Sequence, residues 1–205
     1  MTTPRQLLYD KNTLEFVTVA LEYCALIESA GKHTIFSFTD KAVKILPLLY
    51  LKATLLPVSG EAADDYDAEQ CITEQTYEVI RVRLADLMGE DDYFLETFDP
   101  DMQYSDTPIT TTISENLADV YQDIGNFVAL FRQENETVME QALIACEDNF
   151  RLFWGQKLLN VLKALHVVRY SEVFDPDGDT DSDDPDCFDD NHDFFDGNND
   201  STEDG

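Results

Sequence analysis

The sequence predicts an all-α fold, a bundle of about five helices over residues 1–170 followed by a disordered acidic tail over residues 171–205. Along the first segment, apolar residues recur at steps of three and four, the period of one helical face. No segment alternates apolar and polar residues as a half-buried strand does. The net charge of −30 is uneven, because 15 of the 43 Asp and Glu residues follow residue 170, where Lys and Arg are absent.

The first two helices are predicted within the first 57 residues. Asn12 and Glu15 have the spacing of a helix N-cap pattern, so we expect the first helix to begin at Asn12 and to stop near Gly31. The second helix is expected to start after Thr39. Pro47 lies about two turns inside it, which predicts a kink or an early break, because proline cannot donate the helical hydrogen bond.

The third helix is predicted over residues 68–88, after a loop at 57–67, and Gly89 is its natural stop. Residues 90–111 are acidic and contain two prolines, which indicates a loop. Aromatic residues within that segment suggest that it is pinned to the core.

The fourth and fifth helices carry the clearest signals. Thr112 and Glu115 form a capping box, and Asn135 is a suitable cap for a long fifth helix that reaches Tyr170, with Gly155 as a possible bend. The fourth helix has one continuous apolar face, formed by Leu117, Val120, Tyr121, Ile124, Phe127, Val128 and Phe131.

Composition limits the compartment and the partners. A net charge of −30 argues against direct binding to nucleic acid or to an anionic membrane, since both require a basic surface. No apolar run approaches the roughly 20 residues that span a bilayer, and no signal-peptide pattern opens the chain. We therefore expect a soluble cytoplasmic protein with its four cysteines reduced.

The tail predicts no ordered site. Its alternating aspartates over residues 175–186 resemble a calcium loop, but no register places glycine at position 6 and glutamate at position 12. We expect weak, non-specific cation binding from so dense a polyanion. Three aromatic side chains could dock briefly on the domain or on a partner: Phe188, Phe194 and Phe195.

No catalytic, cofactor or metal site is predicted. None of the three histidines has a glutamate three residues before it, which excludes the di-iron bundle pattern. Glu115, Asp119 and Asp123 step by four, which is typical of a solvated acidic helix face. A metal-dependent hydrolase remains an alternative, and its candidate carboxylates are the loop residues Asp64, Asp67 and Asp99.

Two strings carry a family resemblance. Residues 14–24 (LEFVTVALEYC) and 44–57 (KILPLLYLKATLLP) resemble the uncharacterised bacterial family DUF5063, found mainly in Bacteroides-type bacteria, over about residues 10–170. The resemblance implies a helical fold and a bacterial cytoplasmic setting. It carries over no functional residue, because the family has no assigned activity and no catalytic motif.

The leading functional hypothesis is a non-enzymatic, cytosolic protein-interaction module with an unidentified protein partner. The run Leu48, Leu49, Tyr50 and Leu51 is apolar on every side of its helix, so it is either fully buried or partly an interaction surface. The second hypothesis is a nucleic-acid mimic that occupies a DNA-binding protein, which the net charge suggests.

Overall fold

The computed structural model describes residues 4–57, 70–95 and 109–171, and it confirms the all-α class. No helix in those ranges is long and apolar enough to cross a membrane. Apart from Ser171, the acidic tail lies outside the described residues, and so do Phe188, Phe194 and Phe195. The helices are α1 (Pro4–Leu8), α2 (Lys11–Glu28), α3 (Ile35–Thr54), α4 (Glu74–Met88), α5 (Ile113–Phe131), α6 (Glu136–Asn149) and α7 (Gly155–Arg169).

Helix α5 is the centre of the bundle and packs against α2, α4, α6 and α7. Its predicted apolar face is confirmed, since every member is buried except Phe131, which is half-buried. The buried Tyr23 of α2 donates its hydroxyl proton to the Leu117 carbonyl oxygen at 2.8 Å. The two central helices are therefore joined by a polar contact as well as by apolar packing.

Three of the predicted helix ends are confirmed. The Thr112 hydroxyl oxygen accepts from the Glu115 amide, and the Asn135 side chain accepts from the first amides of α6. Gly89 ends α4 with a φ of 56°, a conformation that glycine adopts without steric cost. These signals are local in sequence, so they need no knowledge of the tertiary fold.

Other predicted helix starts are wrong. Helix α2 begins at Lys11, because the Asp10 carboxylate rather than Asn12 caps it and accepts from the Asn12 amide. Helix α4 begins only at Glu74, where the Thr73 side chain caps it. The short α1 was not predicted.

Helix α3 also departs from the prediction. It begins at Ile35, where the Thr34 side chain accepts from the Ser37 amide, and it continues through Pro47 to Thr54. Proline removes one backbone hydrogen bond, but the helix buries a full apolar stripe on both sides of that position. Tertiary packing therefore keeps α3 helical through Pro47, so the early break, one of the two predicted outcomes, does not occur. The stripe consists of Phe38, Thr39, Ala42, Leu46, Leu49 and Ala53.

A small β-ladder, which the sequence did not predict, precedes α5. Strands β1 (Tyr93–Leu95) and β2 (Thr110–Thr112) pair in antiparallel fashion, and Phe94 lies opposite Thr111. The buried Asp92 carboxylate accepts from both the amide and the hydroxyl of Ser114, each at 2.7 Å. This carboxylate ties the ladder to the start of α5.

Helices α6 and α7 follow one another with no non-helical residue between them, as the predicted long helix requires. A π-helical turn over Phe150–Trp154 joins them, and Gly155 follows it directly. The fully buried Trp154 donates its indole proton to the Cys146 carbonyl oxygen at 3.0 Å. The π turn therefore marks the position where the sequence suggested a bend.

Gly155 has a steric reason to be glycine. A Cβ atom there would lie 2.5 Å from the Phe150 carbonyl oxygen and 2.9 Å from its ring. In a regular helix, glycine to alanine stabilises by about 1 kcal/mol. Here we expect Gly155→Ala to lower the free energy of unfolding by about 1–3 kcal/mol, which is the usual cost of overpacking a core. Urea denaturation of wild type and variant measures this difference. An increase in stability would contradict the close approach.

Basic residues of the last helical stretch make specific contacts with other helices. Arg169 pairs with Asp40 of α3 at 3.1 Å and covers the Phe36 ring at 4.6 Å. At the other end of the same seam, the rings of Tyr50 and Phe150 lie 5.2 Å apart. These two contacts show that α3 and α7 run antiparallel.

Two of the cysteines within the described residues, Cys24 and Cys146, are free and buried, as predicted. Cys71 is half-buried, and Cys187 lies outside the described residues. Burial raises the pKa of the Cys24 thiol to about 12, so it stays protonated at neutral pH. These thiols are structural members of the fold.

Candidate functional site

A cleft of about 420 Å³ lies between α5 and α6, beside the π turn. Among the described residues, its lining combines an apolar floor with one carboxylate and several carboxamides, and none of these residues is Lys or Arg. The polar members are Gln70, Gln122, Asp123, Asn126 and Asn149, and the others are Phe127, Leu130, Ala142, Ala145, Cys146 and Phe153. Concave sites of this size with a few converging polar groups are typical of ligand pockets.

Asp123 is the charged group of this cleft. Asn149 of α6 donates from Nδ2 to its Oδ1 at 2.8 Å, which links the two walls. Burial raises the pKa of Asp123 to about 6, the Asn149 hydrogen bond opposes that rise, and the neighbouring Asp119 carboxylate adds to it. The carboxyl group is therefore mostly ionised at neutral pH, at a cost to the folded state.

A second polar cluster lies one helical turn before Asp123. Tyr77 of α4 donates its hydroxyl proton to Asp119 Oδ1 at 2.8 Å, and Lys157 Nζ lies 3.4 Å from Asp119 Oδ2. Lys157 also lies 5.8 Å from the centre of the Phe153 ring at the cleft rim. Asp119 is thus paired with Lys157, and Asp123 is the carboxylate that lines the cleft.

One edge of the cleft is formed by the chain segment before α4, and Asn126 holds this segment in place. Its Oδ1 accepts from the Ile72 amide at 2.7 Å. The side chain of Ile72 lies close to Gly125, where a Cβ atom would approach it to 3.0 Å. With its oxygen engaged, Asn126 retains its amide protons as donors.

The solvated acidic face predicted on α5 is wrong for two of its three carboxylates. Glu115 is exposed, but Asp119 is held by Tyr77 and Lys157, and Asp123 is half-buried and lines the cleft. A partial signal was present, because Gln122 and Asn126 place amides beside Asp123 on the same helix. The opposite wall comes from α6, and its position depends on tertiary packing.

The predicted interaction run on α3 is divided by the fold. Leu48 and Leu51 are 47% and 49% exposed, whereas Leu49 is 0% exposed and belongs to the core. Tyr50 is half-buried and packs edge-on against Phe150. The run is therefore not fully buried, and an interface through its two exposed leucines stays a prediction.

The loop carboxylates of the hydrolase alternative, Asp64, Asp67 and Asp99, lie outside the described residues. Across residues 4–57, 70–95 and 109–171, no three His, Cys, Asp or Glu side chains are placed to hold a metal ion. The cleft in turn presents one carboxylate, which suits a ligand that carries a single positive charge.

Asp123 gives a testable pH dependence. An aspartate in the unfolded chain titrates near 3.8, whereas the folded pKa is about 6. Between these values the folded state keeps a proton that the unfolded state has lost, so stability falls as pH rises. We expect Asp123→Asn to raise the free energy of unfolding by about 1–2 kcal/mol near neutral pH, after allowance for partial exposure.

Urea denaturation across the acidic range measures this effect. The gain from Asp123→Asn should disappear below the pKa of the unfolded aspartate, where both states hold the proton. Glu115→Gln, which alters an exposed carboxylate on the same helix, is the matched control and should not change the pH profile. A destabilised Asp123→Asn protein at neutral pH would contradict the desolvation argument.

Comparisons with known proteins agree with this fold. The model of a family described as "Domain of unknown function (DUF5063)" matches residues 8–171. The crystal structure of protein BF1032 from Bacteroides fragilis is similar, with a TM-score of 0.72 and 44% sequence identity. That match covers 81% of this chain and 97% of the other. No curated protein matches the chain.

Proposed function

Because the chain belongs to the DUF5063 family, a domain of unknown function, we propose its role from the geometry of the α5–α6 cleft. The protein is a non-enzymatic interaction module that binds a basic side chain of a partner protein in this cleft. One observation carries the proposal: the cleft has an apolar floor and a carboxylate at Asp123, and the lining residues that the structure describes include no Lys or Arg.

The chemistry of the lining fits an arginine or lysine side chain. The methylene groups of such a side chain would cover the floor at Phe127 and Leu130, and its charged end would reach Asp123. A buried carboxylate gains more from an opposite charge than an exposed one does, because water screens it less. Binding would therefore offset the cost of keeping Asp123 ionised.

The charge of the whole chain favours the same class of partner. A net charge of −30 attracts basic surfaces over a distance and speeds their encounter, although it does not select one site. Selection of one basic side chain therefore has to come from a pocket of defined shape. The α5–α6 cleft supplies that pocket, with fixed hydrogen-bonding groups on both walls.

We also propose a bacterial, cytoplasmic setting. The identity of 44% to a Bacteroides fragilis protein supports the bacterial part. The free thiols of Cys24 and Cys146, both buried, support a reducing compartment, where unpaired cysteines are usual.

Affinity capture with the full chain tests the proposed function. Wild-type protein, Asp123→Asn and Glu115→Gln would be compared as baits in nuclease-treated cytosol. Both variants remove one negative charge from α5, so general electrostatic attraction weakens equally. We expect a stoichiometric partner to be retained by wild type and by Glu115→Gln and lost with Asp123→Asn. A partner held equally by all three would place the binding site elsewhere.

The other hypotheses stay predictions. Nucleic-acid mimicry needs an open, regularly spaced array of carboxylates, and on α5 Asp119 and Asp123 are engaged in other contacts. An interface on α3 would use Leu48 and Leu51. In the capture experiment, a partner that the Asp123→Asn bait retains and a Leu51→Ser bait loses would favour the α3 surface.

A further inference from the structure

We propose that the α5–α6 cleft selects a guanidinium group, as in an arginine side chain, over the ammonium group of lysine. This inference rests on the proposed function and adds the chemical identity of the ligand. It follows from the hydrogen-bonding state of two facing side chains, Asp123 on α5 and Asn149 on α6.

The Asp123–Asn149 contact determines which atoms remain free. Asn149 donates from Nδ2 to Asp123 Oδ1, which fixes the orientation of its carboxamide. One acceptor oxygen then remains on each partner, Oδ2 of Asp123 and Oδ1 of Asn149. Within the described part of the chain, neither oxygen accepts a further hydrogen bond, and both residues line the cleft.

Two acceptors on adjacent side chains suit a planar group with several donors. A guanidinium holds its N–H groups in a rigid plane and can donate to a carboxylate and a carbonyl oxygen together. An ammonium is a compact point charge that is more strongly hydrated, so it loses more on entering the cleft. The pair of acceptors therefore favours arginine.

The rest of the lining includes aromatic surface. Ala142 and Ala145 of α6 line the cleft together with Phe127 and Phe153. A flat guanidinium packs on aromatic surfaces more readily than an ammonium does. The neighbouring Lys157 is paired with Asp119.

Calorimetric titration of the full chain with small ligands tests the selectivity. The ligands are the N-acetyl, N-methylamide forms of arginine, lysine and citrulline, the last being a neutral analogue with nearly the same shape as arginine. All titrations are made at the same ionic strength, so that the non-specific attraction of a cationic ligand to the negatively charged chain is the same in each. We expect arginine to bind about tenfold more tightly than lysine, and citrulline to bind more weakly than arginine.

Variants identify the side chains on which the selectivity for arginine depends. Asn149→Leu removes one acceptor, so it should weaken arginine about tenfold and bring it level with lysine. Asp123→Asn should abolish binding of both cations, and Glu115→Gln should change neither. Circular dichroism melting checks that each variant is folded, and the ratio of arginine to lysine affinity in wild type needs no variant at all.

The outcomes separate the two proposals. Equal affinity for arginine and lysine, both lost with Asp123→Asn, would overturn the guanidinium selectivity and leave the basic side-chain site intact. Failure of wild type to bind either cation would overturn both. An Asn149→Leu variant that is folded and retains the wild-type preference for arginine would also overturn the role assigned to the acceptor pair.

Discussion

Replacing Trp154 with alanine should lower the free energy of unfolding by about 3–5 kcal/mol, the range for a large aromatic residue removed from a core. The indole is 0% exposed, lies 4.7 Å from the Phe150 ring between centroids, and donates to the Cys146 carbonyl oxygen. The substitution therefore leaves a cavity and removes a buried hydrogen bond at the junction of α6 and α7. The protein contains one tryptophan, so urea denaturation of the variant has to be followed by circular dichroism.

Leu152→Ala is the matched control. Leu152 lies on the same π turn and is 79% exposed, so its loss should change the unfolding free energy by less than about 0.5 kcal/mol. Similar effects of the two substitutions would mean that the π turn does not direct Trp154 into the core.

Leu49→Ala should cost about 2–5 kcal/mol of stability, whereas the adjacent Leu48→Ala should cost less than about 0.5 kcal/mol. Leu49 is fully buried in the stripe that keeps α3 helical across Pro47, and Leu48 faces outward. The two substitutions remove the same atoms one residue apart. Denaturant titration of both therefore measures burial alone, with nearly equal changes in helix propensity.

This pair also tests the fold assigned to α3. If Pro47 broke the helix, residues 48 and 49 would lose their helical phase and the two substitutions would have similar effects. A large cost at Leu48 with a small cost at Leu49 would indicate that the helix is rotated relative to the orientation described above.

The parts of the fold that sequence predicts well are those with a local cause. The capping box at Thr112 and the unbroken apolar periodicity of α5 determine that helix without reference to the rest of the chain. The predicted start of α3 was wrong for the opposite reason. Residues 35–39 have no strong helical pattern of their own, and their helix is supported by the burial of Phe38 and Thr39 against other elements.

The cleft could be predicted only in fragments. Asp123 lies beside two carboxamide residues on α5, which sequence can show, but its hydrogen-bond partner across the cleft is Asn149, 26 residues later. Nothing in a single sequence specifies that α6 folds back to bring these two side chains within hydrogen-bonding distance. The spacing of Asp119 and Asp123 instead favoured the more common interpretation, a solvated helix face.

Asp123, the proposed binding group, also shows how such a group can reduce stability. Burial raises its pKa to about 6, so its ionised form at neutral pH costs folding free energy. An asparagine would retain a hydrogen bond to Asn149 without that cost. A charge maintained at the expense of stability is the kind of compromise that binding sites often require.

The π-helical turn between α6 and α7 has a consequence for related chains of different length. A π turn accommodates one extra residue within a helix, so the residues after it keep the orientation that a regular helix without that residue would give them. Without the π turn, the extra residue would rotate everything after it by about 100°. Deletion of a single residue from 150–154 should therefore restore a uniform helix and leave the buried stripe of α7 facing α3. A homologue that is one residue shorter here is expected to have a regular helix at this position and the same apolar pattern in α7.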